Sequence, residues 1–173
     1  WPDLTLASGR IGYDALRDAL PAHRGVTVLS GGRLGADIAA GPLGAVIDAG
    51  RRGGVPVVCD VPRRATPASE AALRLADLVV VITPADLRSA AATAVTAGWA
   101  RSINPNIGLV VRGPSPGGLR ADDVARTVAL PLLAAMRPQP GLAAAMERGG
   151  LRFGSRSPLA VATRRIVDLV RSG

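Results

Sequence analysis

Short β-branched runs alternate with longer Ala- and Leu-rich amphipathic stretches along this chain, and that alternation restricts the fold to βαβ units around a parallel sheet. Five strands are expected, over residues 26–29, 55–60, 78–83, 107–112 and 128–133. The first is closed by Ser30-Gly31-Gly32, the second by Val61-Pro62 and the fourth by Gly113-Pro114, while the fifth carries Pro131 inside it. The run 78–83 is nearly all apolar, as befits a strand covered by helices on both faces. Thr83-Pro84-Ala85-Asp86 supplies an N-cap, a first-position proline and a third-position acid, so a helix is expected from 84 to about 102, with Leu87, Ala91 and Val95 along its packed face. Ser157-Pro158 opens a C-terminal helix in the same way, with Leu159, Ala162, Ile166 and Val170 at helical spacing. Shorter helices are expected over 13–20, 43–51, 67–76, 121–126 and 142–148. Together these describe an α/β three-layer fold, a mostly parallel sheet with helices on both faces.

Composition narrows what such a fold can do. A length of 173 residues suits one domain, and aromatics make up only 2%, so the core is aliphatic and offers no platform for stacking bases. All 21 basic residues are Arg, which we read as GC-rich coding. The net charge of +8 attracts DNA, RNA or an anionic membrane. Only Arg51/Arg52, Arg63/Arg64 and Arg164/Arg165 are adjacent, so a solvated basic surface is the simpler reading than a nucleic-acid groove. Cys59 is alone, which excludes an internal disulfide and a Cys-based metal site and fits a cytoplasmic home, and His23 is the single imidazole of the sequence. His23 itself reads as an exposed turn residue after Pro21. No stretch approaches the ~20 apolar residues that span a bilayer. The start at Trp1, with no charged-then-apolar leader, reads as that of a fragment.

In an open parallel sheet, ligands bind beyond the C-terminal ends of the strands, which directs attention first to Asp60. An acid at the tip of a buried strand, followed by a turn-fixing proline, can hold a water of a Mg2+ coordination sphere; equally it can be an ordinary turn-initiating Asp. Ser30-Gly31-Gly32-Arg33-Leu34-Gly35, with Asp60 ending the next strand, approaches a dinucleotide-binding fingerprint and keeps an NAD-type reading open. Against it, Gly41-Pro42 interrupts the helix that such a fingerprint requires.

Asp60-Val61-Pro62, the helical segment 69–77 and the passage Leu78-Val79-Val80-Val81-Ile82-Thr83-Pro84-Ala85-Asp86-Leu87-Arg88 resemble the stretch from the Walker B strand to the following strand in the MinD/ParA superfamily of P-loop ATPases. The closer likeness is to its CpaE-like branch, which includes the septum-site-determining proteins of high-GC bacteria. Trp1-Pro2-Asp3-Leu4, Leu20-Pro21 before Gly25-Val26-Thr27-Val28-Leu29, Leu130-Pro131-Leu132-Leu133 and Arg156-Ser157-Pro158-Leu159 extend the resemblance over essentially the whole chain.

The resemblance implies a truncated SIMIBI-type P-loop NTPase domain, with residues 1–173 a single partial ATPase-like domain. It implies ATP and Mg2+ in the intact parent, a homodimer, and septum placement or polar and pilus assembly beside cell-division, pilus or secretion proteins. A cytoplasmic location follows, with a peripheral inner-membrane contact and a weak anionic-membrane or nonspecific DNA contact. By the same resemblance Asp60 holds Mg2+ through water, and Arg112 and the loop Arg137-Pro138-Gln139 flank the base.

The departures lie where the chemistry is heaviest. A chain without Lys has no phosphate-cradling P-loop, so no residue is assigned a catalytic role, and this chain by itself is expected neither to hold ATP nor to hydrolyse it. Val111 stands where relatives place a base-reading Asn. Loss of the P-loop strand is expected to leave a gap, an exposed strand edge or a rearranged pairing. A non-enzymatic positioning module is a further reading. For it, Ile166, Val167, Leu169 and Val170 beside Arg164, Arg165 and Arg171 suit a helix lying on an anionic membrane, with docking on the parent sheet the alternative.

Overall fold

The computed structural model describes residues 11–30, 38–150 and 153–172. The Trp1-Pro2-Asp3-Leu4 segment and residues 31–35 of the glycine-rich fingerprint lie outside them. The chain divides into two compact units, Trp1–Ala76 and Asp77–Gly173.

The first unit carries α1 (Tyr13–Ala19), β1 (Ala22–His23), β2 (Val26–Thr27), α2 (Ala40–Arg52) and α3 (Pro67–Leu75). The run at 26–29 does not form a parallel strand. Two of its residues pair antiparallel with β1, across Arg24 and Gly25 at φ 51 and 78, the double positive-φ requirement of a tight hairpin turn. His23 is exposed in β1. Helix α2 begins at Ala40, so Gly41 and Pro42 sit inside its first turn rather than interrupting it; an N–H missing there has no helical acceptor to lose. Leu16, Leu20 and Ala49 form one core cluster of this unit, with Ile11, Leu29 and Val46 packed against them, and Ile47, Ala72 and Leu73 are buried as well.

The strand expected over 55–60 is also absent. Its valines have β propensity, but a strand needs a ladder partner for its N–H and C=O groups, and Val58 is 94% exposed. Helix α3 is firmly started: Pro67 occupies its first turn, and the Ser69 N–H donates to Thr66 Oγ1 at 3.1 Å. Thr66→Ala is expected to lower stability by about 1 kcal/mol, with Thr66→Ser close to the parent in the same denaturant titration.

The second unit carries β3 (Val79–Pro84), α4 (Leu87–Ile103), β4 (Ile107–Arg112), α5 (Ala121–Val128), β5 (Leu132–Met136), α6 (Leu142–Glu147) and α7 (Pro158–Ser172). Strands β3, β4 and β5 form a parallel sheet in that order, with Val81 beside Leu109 and Leu109 beside Leu132. Because side chains alternate across a sheet, the two faces have different covers. Helices α4 and α5 pack together on one face, where Leu109 is fully buried and the Thr93 hydroxyl donates to the buried Thr83 Oγ1 at 2.9 Å. On the other face Val110 and Ala134 meet Ala162 of α7, with Val80, Leu133, Met136 and Ile166 around them. The unit is thus α/β, helices flanking a parallel sheet on both faces.

Three expectations shift here. Strand β3 runs through Pro84, so Asp86 rather than Thr83 caps α4, accepting the Ser89 N–H at 2.8 Å. The buried face of α4 is Ala90, Ala97 and Ala100, whereas Leu87 and Val95 are 76% and 78% exposed. Alanines let the helix lie close to a β-branched sheet, and the larger residues turn outward. Finally, α5 extends to Val128 and is stopped by Ala129 in the left-handed region, which moves the fifth strand from 128–133 to Leu132–Met136. Pro131 then precedes the strand, where its missing N–H is harmless and its carbonyl accepts the Leu109 N–H at 2.8 Å.

Hydrogen bonds from the Ser89 N–H and hydroxyl hold the Asp86 carboxyl below its ordinary value of 3.8. The folded form therefore keeps this group charged to lower pH than the unfolded chain does. Its contribution to stability is fully present above about pH 3.8 and disappears as pH falls through the depressed value. Asp86→Asn, which still caps, is expected to remove that acid dependence in stability measured from pH 6 down to pH 2.

Among the described residues no helix is long and apolar enough to cross a membrane.

Candidate functional site

The C-terminal ends of β4 and β5 lie side by side, Arg112 opposite Met136, and from there both strands run into proline-containing loops. The Gly113 N–H donates to the Met136 carbonyl at 2.9 Å and ties the two exits together. A Cβ on Gly113 would stand 3.4 Å from Pro138 Cδ, so the loops meet closely at this point. Beyond Pro138 the chain turns through Gly141, at φ 67, into α6.

Between these parts lies a cleft of about 470 Å3. One wall is Arg112, Gly113 and Pro114; the other is Pro138, Gln139, Gly141, Leu142, Ala143 and Ala144. It is mostly apolar, with two polar side chains. The Arg112 guanidinium has no hydrogen-bond or ion-pair partner among the described residues, and neither has that of Arg137, next to Pro138 in the loop. The Gln139 side chain is engaged: Oε1 accepts the Leu159 N–H at the start of α7 at 3.3 Å, and Nε2 donates to the Pro140 carbonyl at 3.4 Å. Ser157 caps the same helix, its Oγ accepting the Ala160 N–H at 3.3 Å. Apolar walls with an uncommitted guanidinium suit a flat ring system carrying acceptors or negative charge.

The structure thus brings Arg112 and Pro138 into one cleft, with Arg137 beside it. Val111 is 2% exposed, on the face of β4 turned toward α4 and α5, and takes no part. Asp60 belongs to the first unit, exposed in a stretch without strand structure, and is not among the cleft residues. A lone exposed carboxylate fits Mg2+ only through water, since Mg2+ keeps much of its hydration and takes the rest from phosphate. Among the described residues no cluster of three or more His, Cys, Asp or Glu is arranged to hold a metal. Beside Asp60, Cys59 has its thiol pushed up from an ordinary 9.0 by desolvation, which leaves it a poor nucleophile near neutrality. The α6 wall was not foreseen as part of the site; its signal is Gly141, a turn residue that folds an alanine-rich helix back over the strand ends.

A second hollow, of about 460 Å3, lies between α2 and α3 within the first unit. Its cations are used internally: Arg52 donates to the Ile11 carbonyl at 3.1 Å, and Arg74 pairs with Glu70 at 3.2 Å.

The chain is 59% identical over 170 residues to two proteins of Mycobacterium tuberculosis: uncharacterized protein MT3760 of strain CDC 1551 / Oshkosh and uncharacterized protein Rv3660c of strain H37Rv. The alignment covers 98% of this chain, and the chain spans about half the length of these curated relatives, 49% of each. No family model matches the chain. No solved structure matches it either.

Proposed function

We propose that this chain supplies the base-binding side of a nucleotide-dependent positioning switch of the MinD/ParA type, CpaE-like, acting in septum placement or polar and pilus assembly. The observation that carries the reading is the cleft at the ends of β4 and β5, where Arg112, without a partner among the described residues, lines the wall opposite Pro138 and Gln139. In this reading Arg112 stacks on or bonds to the base, Pro114, Pro138 and Leu142 exclude water from its faces, and Arg137 adds positive charge at the rim. Asp60 would hold a water of Mg2+, and the ion, when bound, neutralises phosphate charge. No Lys is available to cradle a triphosphate, so in this reading the chain by itself would not hydrolyse ATP. A homodimer, cell-division or secretion partners and a cytoplasmic site belong to the same proposal.

The test is calorimetric titration of the full-length protein with ATP and with NAD. Binding of ATP that weakens roughly tenfold in Arg112→Ala, with the fold retained, supports the reading. A tight NAD isotherm would eliminate it in favour of a dinucleotide-binding domain. Turnover lost in Asp60→Ala separates an operating switch from a positioning module without turnover.

One observation favours that inert module as a second reading. Ala162 and Ile166 of α7 dock on the sheet, but Val161, Val167, Leu169 and Val170 remain 40–52% exposed beside Arg164, Arg165 and Arg171. Apolar residues left partly exposed among arginines suit contact with an anionic membrane. Leu169→Asp should then abolish co-sedimentation with phosphatidylglycerol vesicles and leave nucleotide binding intact.

A further inference from the structure

The polar character of the cleft is one-sided. Arg112 can only donate hydrogen bonds, and Gln139 is the other polar side chain on its walls. The Gln139 amide is oriented by neighbours of opposite demand, Oε1 taking the Leu159 N–H and Nε2 facing the Pro140 carbonyl. Turning the amide over would set N–H against N–H and carbonyl against carbonyl, so this orientation is the stable one. One Gln139 N–H therefore remains, and no described residue accepts it.

A wall of donors is matched by a ligand edge made of acceptors. Among purines, the 6-keto bases present O6 beside N7, two acceptors together, whereas adenine places an amino donor next to N7. Facing this wall, the adenine amino group meets donors and loses a hydrogen bond it makes in water. We infer that the cleft selects 6-keto purine nucleotides over adenine nucleotides, and that Gln139 is the residue that sets the preference. The inference rests on the nucleotide reading of the same cleft and goes beyond it in naming the base class.

Inosine and adenosine triphosphates, which share ribose and phosphates, isolate the effect at position 6. Titration of the full-length protein is expected to give inosine triphosphate about tenfold the affinity of ATP, the worth of one neutral hydrogen bond. Gln139→Glu keeps an oxygen for the Leu159 N–H but removes the free donor, and should bring the ratio to one or reverse it. Gln139→Ala should also bring it to about one, and serves if the glutamate does not fold. ATP binding as tightly as inosine triphosphate to the unaltered protein overturns the inference and leaves the nucleotide reading standing. So does a folded Gln139 variant whose ratio is unchanged, because a merely structural role weakens both nucleotides alike. If neither triphosphate binds, the inference and the proposed function fall together.

Discussion

Leu109→Ala is expected to destabilise the second unit by about 2–5 kcal/mol, the range for removing a buried leucine from a core that relaxes only in part. Leu109 is 0% exposed at the middle of the central strand, flanked in register by Val81 and Leu132. Its backbone N–H keeps the bond to the Pro131 carbonyl whatever the side chain, so the loss comes from packing and from the cavity left behind. For a domain whose whole stability is about 5–15 kcal/mol, that is a large fraction. The check is a urea titration with unchanged slope and a lowered midpoint. A change under about 1 kcal/mol would mean that the helices of this face close over the gap, and that Leu109 is not the centre of the core.

Gly108→Val is expected to cost about 1–3 kcal/mol through overpacking on the opposite face. A Cβ built on Gly108 stands 2.5 Å from Leu133 Cγ and Cδ2, because the Leu133 side chain lies across the glycine. Neither atom can move far, since Leu133 also packs against the cluster of Val110, Ala134 and Ala162. The cause can be isolated in a double-mutant cycle. Leu133→Ala removes the obstruction, so Gly108→Val with Leu133→Ala should be less destabilised than the sum of the two single changes. Simple additivity would locate the damage elsewhere, in the strand itself.

These two residues also show what could be read beforehand. Residues 107–112 form β4 at the bounds expected, because an apolar run between Asn-Pro-Asn and Gly-Pro has turn chemistry at both ends. The run at 55–60 has similar valine content but no strand, since propensity is local whereas a ladder is not. The end of α5 was hidden for another reason: the stop at Ala129 uses a left-handed residue that is not glycine, and no sequence rule flags it. In α4 the alanines leave more than one face plausible, and the sheet selects Ala90, Ala97 and Ala100 by their smallness rather than by hydrophobicity. Thr83 and Asp86 are both good caps, and only the length of β3 decides between them.

At the cleft, Arg112, Arg137 and Pro138 are named through the family resemblance, and the structure places Arg112 and Pro138 on the walls of one cleft. What local pattern does not reveal is long-range contact. The Leu159 N–H that orients Gln139 comes from 20 residues away, and the α6 wall depends on a turn at Gly141.

The position of β4 has a consequence for how the cleft would take a guest. This strand is bonded on both sides within its unit, and it delivers Arg112 to the rim from the most securely held stretch of backbone. The facing wall belongs to α6, a short helix with no buried residue. One jaw is anchored and the other is free to adjust, so the entropy lost on association falls mainly on α6, and stiffening that helix would tighten the grip without adding a contact.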